Sequence, residues 1–309
     1  MRPWLLAYLS CQECSGELEL AEESETRDDD LITGSLACSE CELAWPVLGG
    51  VPIMVADPGE YLAGYRESVL SSLVEEGMAS ASALALVDEF GSGYVVEARR
   101  YADDWTEVEA GAATPELPKG TPASENYSAL VQANETSGLQ ATVLRMMGAQ
   151  HHDSIIEVGP GAGGLSPLLA ARCDQLVLVD SSLRSVLRSQ RACGSAKADV
   201  AGVVGDAETL EMASDCASAV VAANLVDLLD RPERFLVSVS RWLVRKGDFI
   251  LSTPEPSLGT ESDHALRELM ESLEFKLDAE EDGVPWIRMH SARYSQLYWL
   301  QALRASILR

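Results

Sequence analysis

The sequence predicts an α/β protein built on a Rossmann-like, doubly wound parallel sheet, preceded by a small cysteine-rich module and a helical connecting segment. Strand and helix patterns alternate from residue 126 onward, as in the strands IIEVG, QLVLVD and VVAANL. Repeated strand–helix units imply a parallel sheet covered on both faces, with ligands at the carboxyl ends of its strands. Two cysteine pairs mark residues 1–56, and the stretch GAATPELPKGTPAS predicts a boundary between residues 57–125 and 126–309.

The N-terminal module contains two Cys-x-x-Cys pairs, Cys11 with Cys14 and Cys38 with Cys41. Four thiolates at this spacing are the ligands of closed tetrahedral zinc sites, whereas a catalytic zinc needs an open position. We therefore expect one structural Zn²⁺ ion. GELELA and LITGSLAC alternate as strands do, and the acidic stretch EESETRDDD between them predicts a solvated turn.

Residues 5–56 resemble the zinc-ribbon module of the small tRNA-methyltransferase activator family. The resemblance rests on CQEC, on the second cysteine pair and on the proline-containing steps Trp45-Pro46 and Val51-Pro52-Ile53. It implies a small zinc-ribbon domain over residues 1–56, with a protein partner or a dimer contact as a function of the ribbon.

Composition limits the classes of function. The 309 residues include 49 Asp and Glu against 23 Lys and Arg, a formal charge of −26. A surface of this sign repels a phosphate backbone, so nucleic acid is disfavoured as a partner. No apolar run approaches the roughly 18 residues that a membrane span needs, and we expect a soluble, cytoplasmic protein without membrane contact.

The segment YLAGYRESVLSSLVEEGMASASALALVDEF follows the cysteine module. Its apolar residues recur at three- and four-residue spacing, which predicts one or two amphipathic helices that pack against the rest of the chain.

A glycine-rich loop follows the first strand of the predicted sheet, in IIEVGPGAGGLS. Gly159, Gly161 and Gly163 form a Gly-x-Gly-x-Gly pattern, and Gly164 also completes the dinucleotide pattern. Glu157 precedes the loop, where a dinucleotide-binding strand is normally apolar. A carboxylate at this position suits a ligand with an amino group, which favours S-adenosylmethionine over a dinucleotide.

Two further carboxylates follow the next two strands. Asp180 ends QLVLVD, where a carboxylate can accept both ribose hydroxyls, and Asp206 follows VAGVVG, where it can accept an adenine amino group. With Glu157 and the glycine loop, this ordered set resembles the motifs of class I S-adenosylmethionine-dependent methyltransferases over residues 126–309. The resemblance implies a seven-stranded methyltransferase sheet and assigns these residues to the cofactor.

The candidate catalytic residues are Asn224 and His290. Asn224 ends the strand VVAAN, which in the resembling fold faces the transferred methyl group, and Asp227 is either beside it or at the start of the next helix. His290 is one of four histidines and alternates with Trp286 and Arg288 in a predicted strand. Its pKa makes it the best candidate for a general base, with an edge-strand structural residue as the alternative.

The C-terminal segment PWIRMHSARYSQLYW loosely resembles the methyltransferase domain of the ovothiol pathway, which methylates a ring nitrogen of a mercaptohistidine. The matching positions are Pro285, Trp286, His290, Arg293 and Tyr294, with the His-to-Arg spacing one residue longer than in that family.

Methyl transfer to a nitrogen or other heteroatom of a small molecule or peptide is therefore the leading functional prediction. An RNA-base methyltransferase is the first alternative, because the order of a zinc ribbon followed by a methyltransferase domain resembles that of large-subunit rRNA guanine methyltransferases. A methyltransferase-like binding or scaffold protein without turnover is the second.

Overall fold

The computed structural model describes residues 1–21, 25–94, 129, 132, 138–254, 259–291 and 294–309; the side chains of 288–295 lie outside this description. The strands are β1 (Leu18–Leu20), β2 (Glu25–Arg27), β3 (Asp30–Cys38), β4 (Ala44–Leu48), β5 (Val51–Pro52), β6 (His152–Val158), β7 (Cys173–Asp180), β8 (Asp199–Val204), β9 (Ala217–Ala223), β10 (Leu243–Thr253), β11 (Phe275–Ser291) and β12 (Tyr294–Ile307).

The helices are α1 (Pro58–Gly64), α2 (Arg66–Glu75), α3 (Ala81–Gly91), α4 (Leu139–Met147), α5 (Ser166–Ala170), α6 (Leu183–Ala192), α7 (Pro232–Trp242) and α8 (Glu261–Ser272), with short 3₁₀ helices at Pro3–Tyr8 and Val226–Leu228. In the part of the chain that the structure describes, no helix is long and apolar enough to cross a membrane.

The main sheet has seven strands in the order β11-β12-β10-β9-β6-β7-β8. The five strands from β10 to β8 run parallel, and β12 is antiparallel to both of its neighbours. The chain passes from β6 to β7 and β8 on one side, then returns to β9 and β10 on the other. Ligands bind at such a reversal of strand order, at the carboxyl ends of the strands. The predicted seven-stranded α/β sheet is confirmed.

The parallel strands are buried on both faces, which explains why each reads as a continuous apolar run. One face packs against α4 and α5 through residues such as Ile155, Leu176 and Leu178. The other face packs against α7 and α8 through Ile156 and Val177. Burial of alternate residues on opposite faces is what keeps this register in place.

The N-terminal residues share the apolar core of the main sheet. Leu5, Tyr8, Leu36 and Trp45 belong to the same buried cluster as the α7 side of the sheet. The connection from β8 to β9, residues 205–216, contains no helix. Parallel strands are usually joined by a crossover helix that covers the sheet, and here the N-terminal residues contribute to the cover of that face.

Hydrogen bonds fix this packing. The Tyr8 hydroxyl donates to Gln175 Oε1 at 2.7 Å, and the Gln12 side chain exchanges two hydrogen bonds of 2.9 Å with the backbone of Glu211. Ile53 forms a parallel bridge to Val204 at the edge of the main sheet. The N-terminal strands are therefore joined both to one face and to one edge of this sheet.

Two predictions for the N-terminal part are corrected. The acidic stretch predicted as a turn contains strand β2, because Asp28 and Asp29 both adopt positive φ (50° and 68°) and form a tight two-residue hairpin turn to β3. The following segment forms three helices rather than one or two. Asp57 caps the start of α1 and Ser80 the start of α3, each by accepting a backbone N–H, and the cap at Ser80 separates α3 from α2.

Candidate functional site

Glu157 lies at the carboxyl end of β6, with β7 and β9 on its two sides. Its side chain is 3% exposed, and Oε2 has no hydrogen-bond partner among the described residues. Burial, followed by the nearby charge of Asp180, raises the pKa of Glu157 from 4.5 to about 7. A buried carboxylate oxygen without a partner is costly unless a ligand supplies one.

The glycine loop turns directly above this strand end. Gly159, Gly161 and Gly163 have φ of 72°, 55° and 81°, the left-handed region that favours glycine. A Cβ atom on Gly163 would lie 2.8 Å from Ser189 Cα in α6, so the loop also packs too closely for a side chain. Gly164 has no such φ, which favours the Gly-x-Gly-x-Gly pattern over the dinucleotide pattern.

Asp180 ends β7 beside this loop. Its Oδ2 accepts the backbone N–H of Gly161 at 3.3 Å, and its Oδ1 accepts that of Ser182 at 2.9 Å. The carboxylate is therefore fixed in orientation. Asp206 follows β8 at the same edge of the sheet, is exposed, and accepts the N–H of Glu208 at 2.8 Å. The structure thus brings Glu157, Asp180 and Asp206 to the carboxyl ends of three adjacent strands.

Asn224 directly follows β9 with a positive φ of 54°. Its backbone N–H donates to Ser252 O at 2.8 Å and lies 3.2 Å from Ser252 Oγ, and the Ser252 hydroxyl donates to Asn224 Oδ1 at 2.9 Å. Sequence reasoning missed Ser252; the available signal was a polar Ser-Thr pair ending an apolar strand. Asp227 lies in the 3₁₀ helix that follows, and Thr253 Oγ1 donates to it at 3.5 Å.

The hairpin of β11 and β12 extends past the carboxyl end of β10. The last pair between β10 and β12 joins Thr253 and Gln301, whereas the hairpin continues to a pair between Ser291 and Tyr294. Trp286 contacts Tyr298 across the hairpin, with ring centroids 5.2 Å apart.

His290 belongs to this extension, but its side chain lies outside the described residues, as does Arg293. The predicted strand at Trp286 is present.

The four N-terminal cysteines converge. All four Sγ atoms lie within 4.8 Å of one another, and Cys11–Cys41 and Cys14–Cys38 have Sγ–Sγ distances of 3.5 Å. Tetrahedral zinc with Zn–S bonds of about 2.3 Å places its sulfurs about 3.8 Å apart. Backbone N–H groups also point at the sulfurs, as that of Glu40 does at Cys38. The donor set and its spacing fit a four-thiolate metal site.

Comparison with known proteins identifies a methyltransferase domain within this chain. Residues 156–251, which include the glycine loop, Asp180 and Asn224, match the methyltransferase domain family. The chain is a methyltransferase enzyme. The match agrees with S-adenosylmethionine as the methyl donor. No curated protein matches its sequence.

Solved structures similar to this methyltransferase include three of low sequence identity. A candidate methyltransferase of Bacillus halodurans is 14% identical, covers 55% of this chain and 99% of its own, and has a TM-score of 0.48. The N-methyltransferase NodS of Bradyrhizobium japonicum, with bound S-adenosyl-L-homocysteine, is 13% identical (67% and 99% covered, TM-score 0.45).

The third is a complex from Haloferax volcanii between the Trm112 methyltransferase activator and a proposed methyltransferase. It is 14% identical, with 60% of this chain and 96% of that chain covered and a TM-score of 0.46.

Proposed function

We propose that this methyltransferase transfers a methyl group to a nitrogen, or another heteroatom, of a small molecule or peptide. The observation that supports S-adenosylmethionine as the methyl donor in this proposal is the buried Glu157 carboxylate beneath the glycine loop, with one oxygen unpaired among the described residues. The α-ammonium group of S-adenosylmethionine is a positively charged donor that would satisfy this oxygen.

The other cofactor residues follow from the same strand ends. At Gly159, Gly161 and Gly163 the loop has no side chain to block the approach of a ligand to its backbone. Asp180 is held by two backbone N–H groups, and each carboxylate oxygen has two lone pairs, so both can also accept a ribose hydroxyl. Asp206 is exposed at the same edge and would accept the adenine amino group.

S-adenosylmethionine supplies a methyl group on a sulfonium, which is already an activated leaving group. The protein's task is then to hold the acceptor in line with this methyl group. Asn224, at the reversal of strand order, would orient the acceptor. The hairpin extension would cover it, with His290 as general base where the acceptor is a hydroxyl. An amine or imidazole acceptor with a free lone pair needs no base.

The cysteine cluster would hold a structural Zn²⁺ ion through Cys11, Cys14, Cys38 and Cys41. Four thiolates leave no open position for a reactant, so the ion would stabilise the N-terminal strands instead of taking part in catalysis. Cys11 and Cys38 are buried in the shared core, so the ion would also support the α7 face of the sheet. A protein partner of this zinc ribbon stays a prediction.

Titration calorimetry with S-adenosylhomocysteine tests the cofactor site. We expect binding by the wild-type chain and a loss of at least about tenfold in affinity for Asp180→Ala, because charged hydrogen bonds contribute about 1.5–3 kcal/mol. Asp174→Ala is the matched control. Asp174 is exposed near the other end of the same strand and pairs with His151 at 2.9 Å. No binding by the wild-type chain, or equal losses in both variants, would contradict the proposal.

A further inference from the structure

The contact between Asn224 and Ser252 determines which way the asparagine amide points. Ser252 is fully buried in β10, and its hydroxyl accepts from the Asn224 backbone N–H while donating its single proton to Asn224 Oδ1. With the amide rotated by 180°, Nδ2 would face the serine oxygen, and the hydroxyl proton would lose this acceptor. Buried hydroxyl groups without an acceptor are rare in folded proteins.

The Asn224 Nδ2 group is consequently directed away from Ser252. Asn224 is half-buried, and within the described ranges no residue accepts a hydrogen bond from Nδ2. The next residue, Leu225, lies against the glycine loop: a Cβ atom on Gly159 would be 3.3 Å from Leu225 Cδ1. Asn224 therefore lies beside the loop, at the crevice where the strand order reverses between β6 and β9.

We infer that Asn224 presents hydrogen-bond donors to the methyl acceptor, and that the substrate carries a lone-pair acceptor next to its nucleophilic atom. The inference rests on the proposed function, because it takes the crevice to be the transfer site. A carbonyl, carboxylate or phosphate oxygen, or an unprotonated ring nitrogen, would satisfy the amide. A substrate that offers only N–H donors at this point would leave Nδ2 unpaired. Ser252 acts as a positioning residue, since it fixes the amide without contacting substrate.

Whether Asn224 presents a hydrogen-bond donor or an acceptor can be measured without knowing the substrate. Sinefungin resembles S-adenosylmethionine but has a CH–NH₃⁺ group in place of the methylated sulfonium, so it places an ammonium donor at the methyl position. S-adenosylhomocysteine lacks that group. The ratio of their dissociation constants, measured by calorimetry on the full chain, reports whether acceptors or donors surround the position.

We expect wild-type protein to bind sinefungin no more tightly than S-adenosylhomocysteine. Asn224→Gly suits the positive φ and removes the donors, so the preference for sinefungin should stay the same or rise. Asn224→Asp keeps the bond from Ser252 but replaces Nδ2 by an acceptor oxygen. It should raise the preference about tenfold, as a charged hydrogen bond does. Ser252→Ala frees the amide to rotate and should raise the preference by a smaller factor.

Thermal unfolding of each variant checks that the variant is folded. The ratio of the two dissociation constants in the wild-type protein is a test that does not depend on any variant. A wild-type preference for sinefungin that falls in Asn224→Gly would show that Asn224 presents its oxygen, and would overturn the inference. An unchanged ratio in Asn224→Asp would overturn it as well, by showing that residue 224 is not beside the methyl position. If the wild-type chain binds neither ligand, the proposed function fails, and the inference fails with it.

Discussion

Replacing Glu157 by Gln removes a buried carboxyl group while keeping its size. The folded-state pKa of Glu157 is raised from 4.5 to about 7, because burial disfavours the ionised form. The favourable contribution of this group to stability is therefore complete below pH 4.5 and is lost as the pH rises through 7. A shift of this size corresponds to about 3 kcal/mol at high pH.

Without ligand, the protein should show this pH dependence in its free energy of unfolding. Between pH 5 and 8.5, the stability of wild type relative to Glu157→Gln should fall by roughly 2 to 3 kcal/mol, because only the wild type must ionise a buried group. Urea unfolding at several pH values measures the difference, and all other titrating groups cancel between the two proteins. A difference that stays constant over this range would refute the reasoning.

The ionisation of Glu157 should also change the affinity for the cofactor. Affinity should rise with pH, whereas the stability of the ligand-free protein falls. An ammonium ligand favours ionised Glu157, so the affinity of wild type for S-adenosylhomocysteine should rise as the pH increases from 5.5 to 7.5. Glu157→Gln should bind roughly ten- to a hundredfold more weakly at pH 8, since it loses a charged hydrogen bond. Its affinity should vary less with pH. Calorimetry in buffers of different ionisation enthalpy also counts the proton released on binding.

Two further predictions concern the glycine loop and the cysteine cluster. Gly163→Ala should unfold at lower temperature and lose cofactor affinity, because its Cβ would lie 2.8 Å from Ser189 Cα at positive φ; Gly164→Ala, which meets only the flexible Gln140 side chain at 3.1 Å, is the control and should change little. Equal effects in the two variants would contradict this account of the loop. Metal analysis should find about one zinc per chain, lost in Cys38→Ser and kept in Cys216→Ser. A wild-type chain without zinc would contradict the metal site.

Much of the main sheet can be predicted from the sequence because its determinants are local. Buried parallel strands such as β6 and β7 are continuous apolar runs, and glycines mark the turn after β6. The carboxylates at strand ends can be placed at one edge as soon as the strand order is known. These features need only the neighbouring residues and the rule that ligands bind where the strand order reverses.

The contact that orients Asn224 could not be predicted in the same way. Asn224 and Ser252 are 28 residues apart and meet only because β9 and β10 pair in a register that places residue 223 beside residue 252. That register is set by burial along both strands. No local pattern near Asn224 shows which way its amide points, although the residue itself can be chosen from its place after a strand.

The N-terminal residues show a second limit of prediction from the sequence. Their cysteine spacing predicts a small metal-bound unit, yet nothing in the spacing says what its apolar side chains cover. In the structure, Leu5 and Trp45 are buried in the core beside the helix-free connection between β8 and β9. A sheet face with no crossover helix needs another apolar layer. A metal that holds these strands together would therefore stabilise the sheet whose strand ends carry Glu157, Asp180 and Asp206, although no cysteine of the cluster lies at those strand ends.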